Sequence, residues 1–145
     1  MAVDSTYLQN WACFQDLSEE QRKAVAEFSE AKCFHSGHTL FKENEPGQFL
    51  YLLVKGEAEV LYHIGEDQPV CVDRVAAGEI LGCSALIPPN IHTATTRSLT
   101  EVEVLVIDAR ALRELMSRDC SLGFSIQQHL IRMLMDRIVN LRLGA

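Results

Sequence analysis

The chain lacks the hydrophobic run of roughly 20 residues that a membrane-spanning helix requires. It also lacks an excess of basic residues, because 13 Lys and Arg are outnumbered by 20 Asp and Glu and the net charge is -7. An acidic protein repels phosphates, so we expect no direct binding to nucleic acid or to membrane surfaces. The first residues, MAVDSTYLQNWACF, contain neither a basic cluster nor a long apolar stretch, which argues against a signal peptide.

Clustered cysteines and catalytic motifs are also missing. The five cysteines are scattered, odd in number and without a Cys-x-x-Cys motif, at Cys13, Cys33, Cys71, Cys83 and Cys120. This pattern favours reduced thiols in a cytoplasm and disfavours a zinc or iron–sulfur site. The chain has no Gly-x-Ser-x-Gly, His-Glu-x-x-His or P-loop motif, so we expect no enzymatic activity. The charged residues Glu57, Glu59, Asp73 and Arg74 are predicted to lie on the surface.

What is present is an ordinary globular composition, with 48% hydrophobic and 23% charged residues. The length of 145 residues predicts one domain over residues 1–145. Its segment 5–30 is predicted to be helical. A first helix is indicated by apolar residues at helical spacing, Tyr7, Leu8, Trp11 and Phe14. The capping-box pattern SEEQ at residues 18–21 predicts a second helix that runs to about Ser29.

Short strands are predicted between residues 35 and 108. Six segments have the length and apolar content of strands: HTLFKE, FLYLLV, EAEVLYHI, PVCVDRV, TATTRSL and VEVLVID. Polar or glycine-containing turns separate them, including those at residues 44–47, 55–56 and 65–67. Alternation in the third segment predicts one face with Ala58, Val60 and Tyr62 and another with Glu59 and Leu61. This spacing of strands and turns indicates a β-sandwich or barrel.

Helical periodicity returns over residues 109–143. Asp108 is predicted to cap a short helix, ARALRELMSR, and Ser121 to cap a longer one that ends near Leu143. The longer helix has a heptad-like stripe with one polar break, formed by Phe124, Gln127, Ile131, Leu134, Ile138 and Leu141. A second stripe consists of Leu122, Ile126, Leu130 and Met133. We expect one stripe to pack on the sandwich and the other on a second copy of the chain; one wide face buried within a single subunit is the alternative.

Residues 78–98, GEILGCSALIPPNIHTATTRS, form the most specific pattern in the chain. The spacing of Gly78-Glu79, Gly82, Ala85-Leu86 and Thr93-Ala94 resembles the phosphate-binding cassette of the cyclic nucleotide-binding domain family. The patterns Gly37-x-x-Leu40-Phe41, Gly47-x-x-Leu50-Tyr51 and Gly56-x-x-x-Val60 are similar to further signatures of that family. The resemblance covers residues 15–143. It implies a mainly β fold, a double-stranded β-helix or jelly roll over residues 35–108, with N-terminal helices and a long C-terminal helix.

The two charged ligands that the family uses for a cyclic nucleotide are replaced. Cys83 stands at the position of the ribose-binding Glu, and His92 at that of the phosphate-binding Arg. Histidine is shorter than arginine, lacks its planar fork and is mostly neutral at pH 7. Arg97 follows five residues later, on the opposite face of a strand, so we do not expect it to replace the missing cation. The sequence therefore predicts weak or no binding of cyclic AMP and cyclic GMP.

The resemblance assigns the candidate ligand-binding residues to the cassette, as Gly82, Cys83, Ser84, Ala85, Leu86, His92, Thr93 and Ala94. The turn after Gly82 is expected to begin a short helix whose free amides can hold a phosphate or carboxylate, with a hydroxyl from Ser84. Because Cys83 makes the site more apolar, we expect a less polar effector with a single anionic group, or else a cyclic nucleotide. No other cofactor and no metal is expected.

These features favour a small-molecule-sensing regulatory module in which, as the resemblance implies, the ligand repositions the last helix. The DNA-reading members of the family continue into a helix-turn-helix where about two residues remain here, so the output is expected to pass to a protein partner. A homodimer through the last helix is also expected. Two alternatives stay open: a structural or protein-interaction domain with a vestigial pocket, and a haem or metal sensor that uses Cys83 and His92.

Overall fold

The computed structural model describes residues 2–65 and 68–144. The turn predicted at residues 65–67 therefore lies partly outside the described residues. The model has a mainly antiparallel β fold with flanking helices and one long C-terminal helix, which confirms the predicted fold class. No helix among the described residues is long and apolar enough to span a membrane.

The N-terminal segment forms three short helices, α1 (Ser5–Leu8), α2 (Ala12–Gln15) and α3 (Glu19–Ala26). The single helix predicted from Tyr7 to Phe14 is wrong, because the chain becomes extended at Trp11 and its ring is buried there. The predicted capping box is confirmed at α3. The Gln21 amide donates to Ser18 Oγ at 3.1 Å, and the Ser18 amide donates to Gln21 Oε1 at 2.8 Å.

In the described part of the chain, eight strands form two four-stranded sheets. The strands are β1 (Ser29–Phe34), β2 (Thr39–Phe41), β3 (Phe49–Lys55), β4 (Glu57–Tyr62), β5 (Val70–Ala76), β6 (Ile80–Leu81), β7 (Thr95–Ser98) and β8 (Val102–Asp108). One sheet has the order β1-β8-β3-β6 and the other β2-β7-β4-β5. Because consecutive strands pass between the sheets, the chain winds into the jelly roll that the resemblance implies.

The predicted boundary between the N-terminal helices and the first strand is wrong. Helix was expected to continue to about residue 30, but α3 ends at Ala26 and β1 begins at Ser29. The strand pairs along its whole length with β8, from Ser29 opposite Ile107 to Phe34 opposite Val102. A partner more than 60 residues away in the sequence thus decides the conformation of this segment, which its own periodicity does not reveal.

The alternation predicted for β4 is confirmed at Ala58 and Val60, which pack in the same hydrophobic core. The register with β5 shifts between Val60 and Leu61, and Leu61 is buried. The surface position predicted for Glu59 is wrong, because its carboxylate is buried and accepts hydrogen bonds from Arg97 Nε at 2.9 Å and Nη2 at 2.5 Å.

The sheet that contains β3 and β8 separates two hydrophobic cores. Alternate residues of β3 enter each of them, since Leu50 and Leu52 face the helices while Tyr51 and Leu53 face the second sheet. The core between this sheet and the helices, called the helical core below, also contains Phe14 of α2 and the buried side chains of the C-terminal helices. This arrangement fixes those helices against the sandwich.

The C-terminal helices are α4 (Ala109–Arg118) and α5 (Cys120–Arg142). Asp108 caps α4 as predicted, with Oδ1 accepting from the Ala111 amide at 3.0 Å. The N-cap of α5 is Asp119 rather than Ser121, because the Asp119 carboxylate accepts from the Leu122 amide at 3.2 Å. The Ser121 hydroxyl instead donates to that carboxylate.

The two stripes of α5 differ in burial. Leu122, Ile126 and Leu130 are buried in the helical core. The apolar members of the other stripe are exposed, at Phe124, Ile131, Leu134, Ile138 and Leu141. The predicted packing of one stripe on the rest of the domain is confirmed, and the pairing of the other stripe with a second copy stays a prediction.

Candidate ligand-binding site

A cavity of about 480 Å³ lies between the cassette, the second sheet and α5. Its walls are mostly apolar, with contributions from Phe41, Val75, Ile80, Leu86, Met116, Leu130, Ile131 and Leu134. Polar groups are few and come from Ser84, Thr93, Thr96 and Gln127, together with the charged side chains of Asp73 and Arg137. A small number of polar groups in an apolar pocket of this size is typical of a small-molecule site.

The cassette turn begins at Gly82, whose φ of 81° and ψ of 24° place it in the left-handed region. A Cβ at this position would lie 3.1 Å from the Phe49 carbonyl oxygen and 3.3 Å from His92 Cε1. Glycine therefore allows both the backbone conformation and the close packing. The 3-10 turn Cys83–Leu86 follows directly, as the sequence predicts for a short helix at this point.

Ala85 connects this turn to neighbouring parts of the domain through hydrogen bonds and close packing. Its carbonyl oxygen accepts hydrogen bonds from Arg113 Nη1 at 2.7 Å and from Asn90 Nδ2 at 2.9 Å. On its other side it packs so tightly that a Cβ on Gly47 would lie 2.5 Å from the Ala85 Cβ. Ala85 thus supports the cavity wall from behind and is not among the cavity-lining residues.

Cys83 and Ser84, the first two residues of the turn, line the cavity. Burial raises the pKa of the Cys83 thiol to about 11, so the thiol is uncharged at neutral pH. The turn therefore brings a neutral thiol and the Ser84 side chain to the cavity but no formal charge.

His92 lies behind the cavity wall. It is 3% exposed, and its ring stacks on Phe41 with the centroids 4.0 Å apart. Its Nδ1 is buried without a hydrogen-bond partner among the described residues. Burial lowers the pKa of His92, and the charge of Glu45 only partly opposes this, so the ring is neutral at pH 7. His92 is not among the residues that line the cavity.

The model brings most of the predicted site residues to one cavity. Gly82, Cys83, Ser84, Leu86, Thr93 and Ala94 line it, whereas Ala85 and His92 form a second layer. The two residues considered as haem ligands, Cys83 and His92, consequently do not share the cavity surface. Arg97 is also absent from the lining and is held by Glu59.

Sequence reasoning missed the opposite wall, which carries Arg137. Arg137 Nη1 donates to Asp73 Oδ2 at 2.6 Å, and Nη2 donates to a carboxylate oxygen of Glu79. Asp73, expected on the surface, is instead a half-buried partner in this pair. No local pattern could have indicated the arrangement, because Arg137 is separated from its partners by 58 and 64 residues.

These features define a jelly-roll domain with a ligand-sized cavity under its C-terminal helix. The family model described as cyclic nucleotide-binding domain matches residues 31–119, which is more than half of the chain. The chain belongs to the cyclic nucleotide-binding domain family, and the resemblance seen in the cassette is confirmed.

Curated relatives include two kinds of regulator. The cAMP-dependent protein kinase regulatory subunit of Pyricularia oryzae is 31% identical over 110 residues, which are 76% of this chain and 27% of the relative. A CRP-like cAMP-activated global transcriptional regulator of Mycobacterium tuberculosis is 25% identical over 100 residues, 69% of this chain and 45% of the relative. The chain thus spans less than half the length of these relatives.

Solved structures extend the likeness over nearly the whole chain. A putative cyclic nucleotide-binding protein from Geobacter metallireducens has a TM-score of 0.84 and 32% identity, and covers 94% of this chain and 98% of its own. The sensor domain of the transcriptional regulator DNR from Pseudomonas aeruginosa has a TM-score of 0.75 at 18% identity and covers 92% of this chain and 90% of its own. The second similarity shows the fold alone.

Proposed function

We propose that this domain is a small-molecule-sensing regulatory module that binds its effector between the cassette and α5. The observation that carries the proposal is the cavity of about 480 Å³, which the protein's own side chains leave open. Leu130, Ile131 and Leu134 of α5 form part of its wall, so a bound effector would contact the helix directly. An effector that makes better contacts with one position of α5 than with another would shift the helix toward the first position. The moved helix would then pass the signal to a protein partner.

Native mass spectrometry of freshly purified protein, combined with thermal shifts across a metabolite panel, tests this proposal. We expect a bound species or a rise in Tm that the variant Ser84→Trp abolishes, because an indole at that position fills the cavity. A bare polypeptide mass together with no thermal shift for any compound would favour a structural or protein-interaction domain with a vestigial pocket. A pull-down of a protein partner would then be the next measurement.

We further propose that cyclic AMP and cyclic GMP are poor effectors. A hydrogen bond to a charged group contributes about 1.5–3 kcal/mol, so losing both family ligands removes roughly 3–6 kcal/mol. Cys83 and His92 supply no charge in their place, and the cavity has no unpaired cation among the described residues. This deficit corresponds to about two to four orders of magnitude in affinity and would turn an ordinary micromolar site into a millimolar one.

A homodimer through the exposed stripe of α5 is part of the same proposal. The stripe extends along a helix of 23 residues, and its exposed members other than Gln127 are apolar, which suits a two-fold interface. In sedimentation experiments, Ile138→Glu is expected to weaken self-association at least about tenfold, because it places a charge in an apolar seam. The control Asn140→Glu adds a negative charge to the same part of the helix but outside the stripe. A wild-type protein that stays monomeric at high micromolar concentration would refute the dimer.

A further inference from the structure

Neither of the two positions at which the family places charged ligands carries a charge in this domain. Cys83 is a buried thiol, and His92 is a buried imidazole that stacks on Phe41. The remaining polar lining groups are the hydroxyls of Ser84, Thr93 and Thr96 and the amide of Gln127. None of these groups can compensate a full negative charge once water has been displaced.

Two lining residues are charged, and their charges cancel. Arg137 reaches the cavity from α5, but one edge of its guanidinium is paired with Asp73, which also lines the cavity. Another nitrogen of the same group is paired with Glu79. With one cation between two carboxylates, this end of the cavity has a local net charge of -1 (+1 - 2). An anionic group placed here would approach Asp73 and compete with both carboxylates for Arg137.

We propose that the cavity selects an uncharged, largely apolar ligand with a few hydroxyl or carbonyl groups, and that Asp73 is the residue that excludes anions. The inference rests on the proposed function, since it names the class of ligand for the same cavity. It departs from the anionic effector expected from the sequence, because Arg137, the one cationic side chain that lines the cavity among the described residues, is already neutralised. Apolar walls supply the affinity, while the hydroxyls and Gln127 orient the ligand.

Two fluorescent probes with the same aromatic frame test the proposal. N-phenylnaphthylamine is uncharged, and anilinonaphthalene sulfonate differs from it by one sulfonate. Only the signal lost in the blocking variants Ser84→Trp and Thr93→Trp counts as cavity binding, because both dyes can also adsorb to the exposed stripe of α5. We expect the neutral probe to bind the wild-type cavity at least about tenfold more tightly, which is the cost of one unmade charged hydrogen bond.

The variant Asp73→Asn is the sharper test. Asparagine keeps a carbonyl oxygen that can accept from Arg137 but removes the negative charge, so the local net charge rises from -1 to 0 (+1 - 1) while Glu79 stays paired with Arg137. We expect its affinity for the sulfonate probe to rise about tenfold relative to its affinity for the neutral probe. The control Asp136→Asn removes the same charge from a neighbouring exposed position of α5 that does not line the cavity, and should change neither affinity.

The outcomes separate this inference from the proposed function. Equal affinity of the two probes for wild-type protein, or no gain of sulfonate affinity in Asp73→Asn, would overturn the selection of neutral ligands while leaving the cavity a binding site. If neither probe binds, or if both blocking variants keep the full signal, the cavity is not accessible and the proposed function itself fails. Circular dichroism of each variant shows that its fold is retained.

Discussion

The double variant Cys83→Glu/His92→Arg is expected to bind cyclic AMP about two to four orders of magnitude more tightly than the wild-type domain. It restores both charged groups that the family uses, at the ends of a cassette whose spacing is retained. For the wild type, isothermal titration calorimetry is expected to give no dissociation constant below about 10 µM for cyclic AMP or cyclic GMP. The same titration measures the variant.

The geometry explains why both substitutions are required. Glu at position 83 would enter the cavity from the turn that follows Gly82. Arg at position 92 is longer than the imidazole, which ends against Gly82 and Phe41, so its guanidinium can extend past this layer toward the cavity. Each single variant alone restores one group, and a lone buried charge is costly. We therefore expect small gains from the single variants and a larger gain from the pair.

A matched control makes the same chemical changes on the surface. Cys33 and His35 are both exposed, and Cys33→Glu/His35→Arg alters net charge and composition identically. This control should leave cyclic AMP affinity at the wild-type level. A folded Cys83→Glu/His92→Arg protein with wild-type affinity would show that features other than the two charges prevent cyclic nucleotide binding.

The strands and the cassette could be predicted from the sequence because their signals are local. The segments of β3 and β8 are short, rich in β-branched and apolar residues, and bounded by turns. Gly82 marks a turn that needs a left-handed residue, and the spacing from Gly82 to Ala94 fixes how far apart the cassette elements lie. In each case neighbours in sequence carry the information, so periodicity and turn chemistry were sufficient.

Features that depend on distant partners could not be predicted in this way. Strand β1 pairs with the distant strand β8, and Arg137 is paired with the distant residues Asp73 and Glu79. The stacking of His92 on Phe41 likewise joins the loop before β7 to strand β2, 51 residues earlier in the sequence. The family pattern identified position 92 as chemically altered, but only the three-dimensional arrangement shows that His92 lies outside the cavity lining.

The largest effect on stability is expected for Phe14→Ala. Phe14 is 0% exposed and packs in the same core as Leu122, Ile126 and Leu130 of α5. Removing a buried aromatic ring leaves a void as well as lost apolar burial, which typically costs about 3–5 kcal/mol. A domain of this kind has a free energy of unfolding of about 5–15 kcal/mol, so the variant loses a large share of it. Urea denaturation followed by the fluorescence of the single tryptophan, Trp11, measures the loss.

Phe124→Ala is the matched control, since it removes the same ring from a side chain that is 64% exposed. In monomeric protein it should change the free energy of unfolding by less than about 0.5 kcal/mol. If α5 pairs as proposed, the loss of unfolding free energy in Phe124→Ala increases with protein concentration, whereas the loss in Phe14→Ala is present at every concentration.

Phe14→Ala should also affect ligand binding. Because Leu130 lines the cavity and packs in the same core as Phe14, the loosened core should weaken binding of the neutral probe to folded Phe14→Ala protein. Equal stability of Phe14→Ala and wild type would mean that α2 does not support the helix that covers the cavity.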